Sequence, residues 1–194
     1  MATHDLVIRG GTVIDGTGTE RRAADVAIDG DLITEVGKID GTGTREIDAS
    51  GALVTPGFVD IHTHYDGQAT WDHHLAPSSW HGVTTAIMGN CGVGFAPVHD
   101  QDHNALIEMM EGVEDIPGVA LHEGLRWNWN SFAEYLDAVE AVPHDIDVGA
   151  QVPHGAVRLH VMGERALHDQ AATPDDIAAM ADLVREAILS LIHI

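Results

Sequence analysis

Two histidines, His62 and His64, stand two residues apart in the segment Phe58-Val-Asp-Ile-His-Thr-His64. Side chains at this spacing project to the same side of an extended chain, so both imidazoles can reach one metal ion. Imidazole nitrogen is a ligand that zinc binds readily. In a chain with 14 histidines, such a pair also arises by chance or lies on a solvated strand. The metal-site hypothesis therefore depends on the elements around the pair.

Apolar strands are predicted before each of the residues that could do chemistry. Thr55-Pro-Gly57 is a turn, Phe58 to Ile61 form a strand, and the two histidines come at its carboxyl end. Val83 to Met88 form a second strand, whose carboxyl end brings Cys91 to the same rim. Parallel α/β barrels place their chemistry at this end. A lone cysteine is usually a small buried residue, but the glycines around Cys91 allow the backbone to approach a ligand closely.

A third apolar run, Asp147 to Val152, ends in Pro153-His154-Gly155, and helices are predicted between and after these strands. Ser131 and Glu134 form a capping box, and Thr173 caps a helix that begins with Pro174. The buried face of that last helix is predicted to be Ile177, Met180, Val184 and Ile188. We therefore expect an α/β fold in which residues 56–194 supply the first three βα units of a TIM-type (β/α)8 barrel.

The first 55 residues contain short apolar runs that are typical of β-strands. This pattern predicts the N-terminal part of a small β-sandwich subdomain. Leu6 to Ile8 and Thr12 to Ile14 are expected as two strands separated by Gly10-Gly11. Asp29-Gly30 joins two further apolar runs, which is a strong signal for a hairpin. No chemistry is expected in this subdomain.

Several other residues leave two interpretations open. His154 either stands beside the site or hydrogen-bonds the neighbouring loop. Trp127 and Trp129 either line a substrate cavity or pack. Loop histidines are usually solvated, so His73, His74 and His81 are not expected to be ligands. The acidic stretch from Glu111 to Gly124 is predicted to be a long loop, and Gln101 to Gly112 a helix.

Nine basic residues against 31 acidic residues give the chain a formal charge of −22. This charge disfavours nucleic acid and anionic membranes as partners. No apolar stretch approaches the roughly 20 residues that a membrane-spanning helix needs. The start of the chain lacks the basic residues of a signal peptide, so a cytoplasmic location is expected. One cysteine excludes an internal disulfide, and the sequence does not indicate an oligomeric state.

Pro-Gly-Phe-Val-Asp-Ile-His-Thr-His64 resembles the first barrel strand of the amidohydrolase superfamily. Within it, the sequence is similar to the N-acyl-D-amino-acid deacylases, the D-aminoacylase branch, from about Asp5 to Ile188. The segments that carry this similarity are Gly89-Asn-Cys-Gly-Val-Gly-Phe-Ala-Pro97, Glu114-Asp-Ile-Pro-Gly118, Glu123-Gly-Leu-Arg-Trp-Asn-Trp129 and Ser131-Phe-Ala-Glu-Tyr-Leu136.

The resemblance implies a metal centre in which His62 and His64 hold one ion and Cys91 is the sulfur ligand shared with a second. The resemblance also implies one tightly bound Zn²⁺, held by Cys91 and two later histidines that are expected beyond Ile194, with a second, weaker divalent metal as an open alternative. The only lysine, Lys38, precedes the histidine strand and cannot serve as the carboxylated lysine that bridges the metals in many amidohydrolases. Asp60 shares the parity of the histidines and is expected to support them rather than to act as the general base.

The implied reaction is hydrolysis of a linear amide, an N-acyl-D-amino acid, to a D-amino acid and a carboxylate by metal-activated water. The acid/base aspartate of this family is expected beyond residue 194, so no catalytic residue is assigned. With three βα units where a barrel needs eight, the chain is interpreted as an inactive N-terminal fragment whose residues 189–194 need not be native sequence. The alternatives are a cyclic-amide hydrolase of the hydantoinase or dihydropyrimidinase type, and a non-catalytic truncated product.

Overall fold

The computed structural model describes residues 3–114 and 116–191, and the chain divides into two compact units, residues 1–57 and 58–194. The strands are β1 His4–Val13, β2 Arg22–Asp29, β3 Leu32–Gly37, β4 Gly43–Asp48, β5 Leu53–Val54, β6 Phe58–Asp60, β7 Val83–Met88 and β8 Asp147–Ala150. The helices are α1 His103–Glu114, α2 Gly118–Gly124, α3 Phe132–Glu140, α4 His154–Met162, α5 Glu164–Leu167 and α6 Pro174–Leu191. The predicted α/β class is confirmed.

The first unit is built on one sheet with the strand order β3-β2-β1-β4, and β5 pairs with the far end of β1. The predicted hairpin is present, because β2 and β3 are antiparallel and Gly30 between them has a φ of 58°. Val7, Ala27 and Ile39 form a small core in this unit. All five strands lie in this single sheet, so the second layer of a sandwich is not among the described residues.

The two strands predicted on either side of Gly10-Gly11 are a single strand, and the separation was wrong. The ladder with β2 continues across the glycines, from Ile8 opposite Val26 to Gly11 opposite Ala24, with a shift in register between them. Gly10 has a φ of 67° and donates its amide to the Asp25 carboxylate at 2.8 Å. The glycines therefore form a β-bulge within one strand, because two residues of β1 lie opposite one residue of β2 at this point of the ladder.

The second unit contains a parallel sheet in the order β6-β7-β8. Its strands run in sequence order, with Val59 beside Thr85 and Ala86 beside Val148. The crossover from β7 to β8 contains α1, α2 and α3, whereas the crossover from β6 to β7 contains the 3₁₀ turns Gln68–Thr70 and Ser79–His81. Parallel strands require long connections of this kind. The carboxyl ends of the three strands therefore lie along one edge, which is the edge that the sequence predicted for the chemistry.

Helix α3 begins as predicted. The Ser131 hydroxyl accepts a hydrogen bond from the Glu134 amide at 3.2 Å, and the Glu134 carboxylate accepts from the amides of Ser131 and Asn130. These bonds lower the pKa of Glu134. Phe132, Tyr135 and Val139 form the buried face of the helix and join the core of the second unit.

The stretch from Glu111 to Gly124 was predicted to be a loop, and this prediction was wrong. Helix α1 extends to Glu114, and α2 begins at Gly118 directly after Pro117. Leu121 of α2 is buried in the same core as Ile107 of α1. Burial of these side chains favours helix despite the acidic composition, because the acidic residues can remain on the solvated face.

The predicted buried face of α6 is half correct. Ile177 and Ile188 are 57% and 51% exposed, whereas Ala187 is buried. The stripe turned inward consists of Met180, Leu183, Val184 and Ala187. The start of α6 is as predicted, since the Thr173 hydroxyl accepts from the Asp176 amide at 3.2 Å. Residues 192–194, part of the questioned C-terminal segment, lie outside the described residues.

The second unit has one main core, which brings together side chains from β7, α1, α2, α3 and α4. Its largest fully buried side chains include Phe95, Leu75 and Met88. Within residues 3–114 and 116–191, no helix combines the length and apolarity that a membrane crossing requires.

Candidate metal centre

His62 and His64 follow the end of β6, and Thr63 between them attaches this segment to β7. Thr63 is buried, and both its amide and its hydroxyl donate to the carbonyl of Ile87 on β7, each at 2.9 Å. The Asp60 carboxylate accepts a hydrogen bond from the His62 amide at 3.1 Å. With Thr63 turned toward β7, the neighbouring imidazoles are left on the other side of the chain.

Cys91 lies in a tight turn immediately after β7. Gly89 has a φ of 82°, and a 3₁₀ turn covers Asn90–Gly92. Cys91 itself has a φ of 54°, which costs an L-residue roughly 1–2 kcal/mol. Its side chain is exposed, so the interpretation of Cys91 as a small buried residue is wrong. A strained, exposed thiol at a strand end suits a functional role better than a packing role.

His62, His64 and Cys91 converge, and their candidate ligand atoms all lie within 4.8 Å of one another. The His62 Nε2 atom is 3.3 Å from the Cys91 Sγ atom, and the two imidazole centroids are 5.4 Å apart. In the part of the chain that the structure describes, this is the group of three histidine, cysteine or acidic side chains that meets so closely. Residues 29 positions apart in sequence are thereby placed in one cluster.

Asp60 and His154 lie beside this cluster without joining it. Asp60 is occupied by the His62 amide, so it supports the backbone of the histidine segment. His154 is the exposed first residue of α4, and a side-chain carbon added at Gly92 would lie 3.7 Å from the His154 Cβ atom. His154 therefore stands next to the cysteine turn.

The loop histidines lie outside the cluster. The His73 Nδ1 atom is 2.9 Å from the carbonyl of Pro143. The His74 Nδ1 atom is 2.7 Å from the Asp145 carboxylate, which raises the pKa of His74. His81 is exposed at the end of a 3₁₀ turn. These contacts give His73 and His74 roles in joining two loops.

The two tryptophans pack against neighbouring side chains and each other. Trp129 is 2% exposed and donates its indole N–H to the carbonyl of Phe95 at 2.8 Å. Trp127 stacks on His103 with ring centroids 3.9 Å apart and lies edge-on to Phe95. Of the two interpretations, packing describes Trp129 fully, because its polar atom is already used within the core.

Two residues near the cluster escaped the sequence analysis. The Asn90 side chain donates to the carbonyls of Thr63 and Ile87, and the Gln151 side chain donates to Asn90. The sequence did indicate a possible role for Asn90 by its position, immediately before Cys91 in a glycine-rich turn. Gln151 carried no signal, because its proximity depends on the pairing of β7 with β8.

A cavity of about 580 Å³ lies away from the cluster. It is lined by the segment Pro97 to Gln101, the start of α3, and side chains of α4 and α6, including His160 and Glu186. The cluster is instead at the carboxyl ends of β6 and β7.

The amidohydrolase family matches residues 45–192. The chain belongs to the amidohydrolase family. Among curated relatives, D-aminoacylase of Alcaligenes xylosoxydans xylosoxydans is 36% identical over 187 residues, which cover 96% of this chain and 36% of the relative. The chain thus spans about a third of the length of the curated relatives it matches.

Solved structures of other amidohydrolases match over nearly the whole chain. One is a structure of D-aminoacylase that concerns the functional role of its binuclear metal center, with one-metal activation and second-metal attenuation. It is 35% identical to this chain, with a TM-score of 0.78, and the match covers 96% of this chain and 37% of that one. Another is N-acyl-D-glutamate deacylase from Bordetella bronchiseptica, complexed with zinc and a phosphonate mimic of the tetrahedral intermediate. It is 30% identical, with a TM-score of 0.70 over 95% of this chain and 36% of that one. The resemblance to the D-aminoacylase branch is confirmed.

Proposed function

We propose that this chain belongs to a metal-dependent amidohydrolase that converts an N-acyl-D-amino acid to a D-amino acid and a carboxylate. The observation that carries the proposal is the convergence of His62, His64 and Cys91 at the carboxyl ends of two parallel strands. The relatives named as D-aminoacylase and N-acyl-D-glutamate deacylase support the linear amide as the substrate class. The partner is thus a small molecule.

The donor set fits zinc. It combines two imidazoles with one thiol, which are ligands that zinc accepts in tetrahedral sites. The 3.3 Å between His62 Nε2 and Cys91 Sγ is close to the separation of roughly 3.5 Å that follows from the bond lengths of two such ligands on one tetrahedral zinc ion. We propose that Cys91, with two histidines outside residues 1–194, would hold one tightly bound Zn²⁺, and that His62 and His64 would hold a second, weaker divalent metal.

Each residue of the cluster has a defined task in this proposal. His62, His64 and Cys91 would be ligands of the metal centre, and the Asp60 carboxylate holds the backbone of His62 by accepting its amide. A bound zinc ion would supply a water of lowered pKa and polarise the acyl carbonyl. Exposure of His62 and Cys91 leaves this edge open to a small substrate.

The general base is proposed to lie outside residues 1–194. Hydrolysis requires a group that moves a proton from water to the leaving amine. In the described residues, no carboxylate belongs to the cluster, and Asp60 is engaged by the His62 amide. The 194-residue chain on its own is therefore expected to bind metal without hydrolysing the amide.

The decisive experiment measures zinc content and hydrolysis of N-acetyl-D-amino acids by the full-length product of the gene. Cys91→Ala is expected to lose zinc on dialysis and to lose more activity than the roughly 10- to 100-fold that removal of an outer partner costs. His62→Ala is expected to weaken binding of the ion that His62 and His64 would hold, and to retain the zinc that depends on Cys91. His81→Ala is the matched control, since His81 is exposed and outside the cluster.

Retained zinc and activity in Cys91→Ala would make the cysteine a residue without a metal role. In that case hydrolysis of a hydantoin or dihydropyrimidine should be measured next, because the cyclic-amide alternative does not need the thiol. Loss of zinc in His81→Ala as well would indicate unfolding rather than loss of a ligand.

A further inference from the structure

Asn90 uses its side-chain amide to join three segments of the chain. The Asn90 Nδ2 atom donates to the carbonyl of Thr63 at 3.2 Å and to the carbonyl of Ile87 at 2.9 Å. The Oδ1 atom accepts from the Gln151 side chain at 2.9 Å. Thr63 follows β6, Ile87 lies in β7, and Gln151 follows β8. One amide therefore connects the carboxyl ends of three neighbouring strands.

The chemistry of the partners fixes the orientation of this amide. Two backbone carbonyls can only accept, so the nitrogen of Asn90 must face them. The remaining oxygen then faces the Gln151 amide, which donates to it. An aliphatic residue can make none of these bonds, and an aspartate cannot donate to the carbonyls.

The connected segments are those that carry the candidate ligands. Thr63 lies between His62 and His64, so the bond to its carbonyl fixes the histidine segment. Asn90 precedes Cys91, and the Asn90 carbonyl also accepts from the Val93 amide at 3.1 Å, which closes the cysteine turn. Cys91 has a left-handed backbone that neighbouring contacts must hold in place.

We infer that Asn90 is a positioning residue that sets the separation between the Cys91 thiol and the histidine pair, and through it the affinity and geometry of the metal site. The inference rests on the proposed function for the presence of the metal. Asn90 does not belong to the ligand cluster. It acts through the backbone of Thr63 and through its neighbour Cys91.

The test uses the full-length protein, stripped of metal and titrated with Co²⁺ and with Zn²⁺. A thiolate bound to Co²⁺ gives a charge-transfer absorption band, which reports whether Cys91 reaches the ion. Asn90→Leu and Asn90→Ala are expected to raise the metal dissociation constant by roughly 10- to 100-fold, as loss of an outer partner does, and to weaken the thiolate band. Gln151→Ala removes one of the three bonds and is expected to have a smaller effect in the same direction.

Trp129→Phe is the matched control for general destabilisation. It removes a buried hydrogen bond to a backbone carbonyl in the same unit, away from the cluster. It is expected to lower the unfolding midpoint and to leave the metal affinity and the thiolate band unchanged. A purely structural role for Asn90 would give the same pattern in the Asn90 variants, and would overturn the inference.

The outcomes separate the two proposals. A wild-type protein that binds no metal overturns the proposed function and the inference together. A wild type that binds metal, with Asn90 variants of unchanged affinity and spectrum, overturns the inference alone. If the Asn90 variants do not fold, Gln151→Ala decides, because Gln151 is exposed and its loss leaves the other two bonds in place; unchanged affinity in that variant overturns the inference.

Discussion

Gly89 shows how closely the backbone of the cysteine turn approaches the end of β8. A side-chain carbon at this position would lie 2.2 Å from the carbonyl oxygen of Gln151. The backbone of Gly89 has φ 82° and ψ 19°, while Gly82, just before β7, has almost the same values of 84° and 15°. At Gly82 the added carbon would meet only Phe58 at 3.6 Å, an ordinary contact.

Alanine substitutions at Gly82 and Gly89 therefore separate the cost of a left-handed backbone from the cost of a steric clash with the Gln151 carbonyl. Gly82→Ala is expected to lower the free energy of unfolding by roughly 1–2 kcal/mol, the cost of a left-handed backbone in an L-residue. Gly89→Ala should cost more and should also lower the zinc content, because the turn must move away from Gln151. Urea unfolding and elemental analysis of both variants measure this, and equal effects on both quantities would refute it.

The candidate ligands and the supporting role of Asp60 were recognisable from sequence, whereas Asn90 and Gln151 were not. Spacing alone places His62 and His64 on one side of an extended segment. The contacts of Asn90 cross 27 and 61 positions, to Thr63 and Gln151, and no local pattern reports them. A hydrogen bond of this kind depends on the distance between strand ends, which pairing of the strands decides.

At the scale of elements, the start of α6 is tied to α5 by a bidentate ion pair. Arg165 donates to the two carboxylate oxygens of Asp176 at 2.9 and 2.7 Å. The Thr173 amide and hydroxyl donate to the same carboxylate. The Arg165 bonds above all hold the pKa of Asp176 well below its usual range, and those from Thr173 add to the effect.

A depressed carboxylate pKa predicts a defined dependence of stability on pH. The contribution of Asp176 is fully present above its unfolded pKa of about 3.9 and is lost as the pH falls through the folded value. The difference in free energy of unfolding between wild type and Asp176→Asn should therefore be constant from pH 7 to about pH 5 and shrink below about pH 4. Urea unfolding at several pH values measures it.

Asp182→Asn is the control for this prediction. Asp182 lies on the same helix and pairs with Arg185 in an exposed position, where an ion pair contributes little. A similar pH dependence in both variants would contradict a specific role for Asp176.

The interior of α6 illustrates what an amphipathic pattern leaves open. The sequence indicated a helix with an apolar stripe, and both its start and its type are correct. Two apolar stripes of α6 share Met180 and Val184, one of them including Ile177 and the other Ala187. Helical periodicity does not tell which of the two stripes packs against the rest of the protein. The inward stripe is set by the packing of α6 on α3 and α4.

At the scale of the whole molecule, a strong negative charge coexists with an exposed apolar edge. Among the described residues, β6 is an outer strand of its sheet. Phe58, Val59 and Ile61, on and just after this strand, are 63%, 58% and 72% exposed. Open edges of this kind pair with other chains, whereas a formal charge of −22 holds copies apart.

We expect the 194-residue chain to associate as the salt concentration rises. At about 1 M salt the Debye length falls to roughly 3 Å, so repulsion no longer opposes contact between edges. Light scattering after size exclusion should show a higher mass at high salt than at low salt. Val59→Lys, which places a charge on the edge, should reduce the association, and a mass independent of salt would refute the expectation.

The sequence by itself determined the α/β class, the parallel strands, the helix caps, the hairpin and the candidate ligands. Each of these depends on local spacing, turn chemistry or residue type. The tertiary structure decided that Gly10 and Gly11 form a bulge, that Trp129 packs, that residues 118–124 are helical, and that Asn90 joins three strand ends. These features depend on burial and hydrogen bonding between segments distant in sequence, and local patterns do not record which segments will meet.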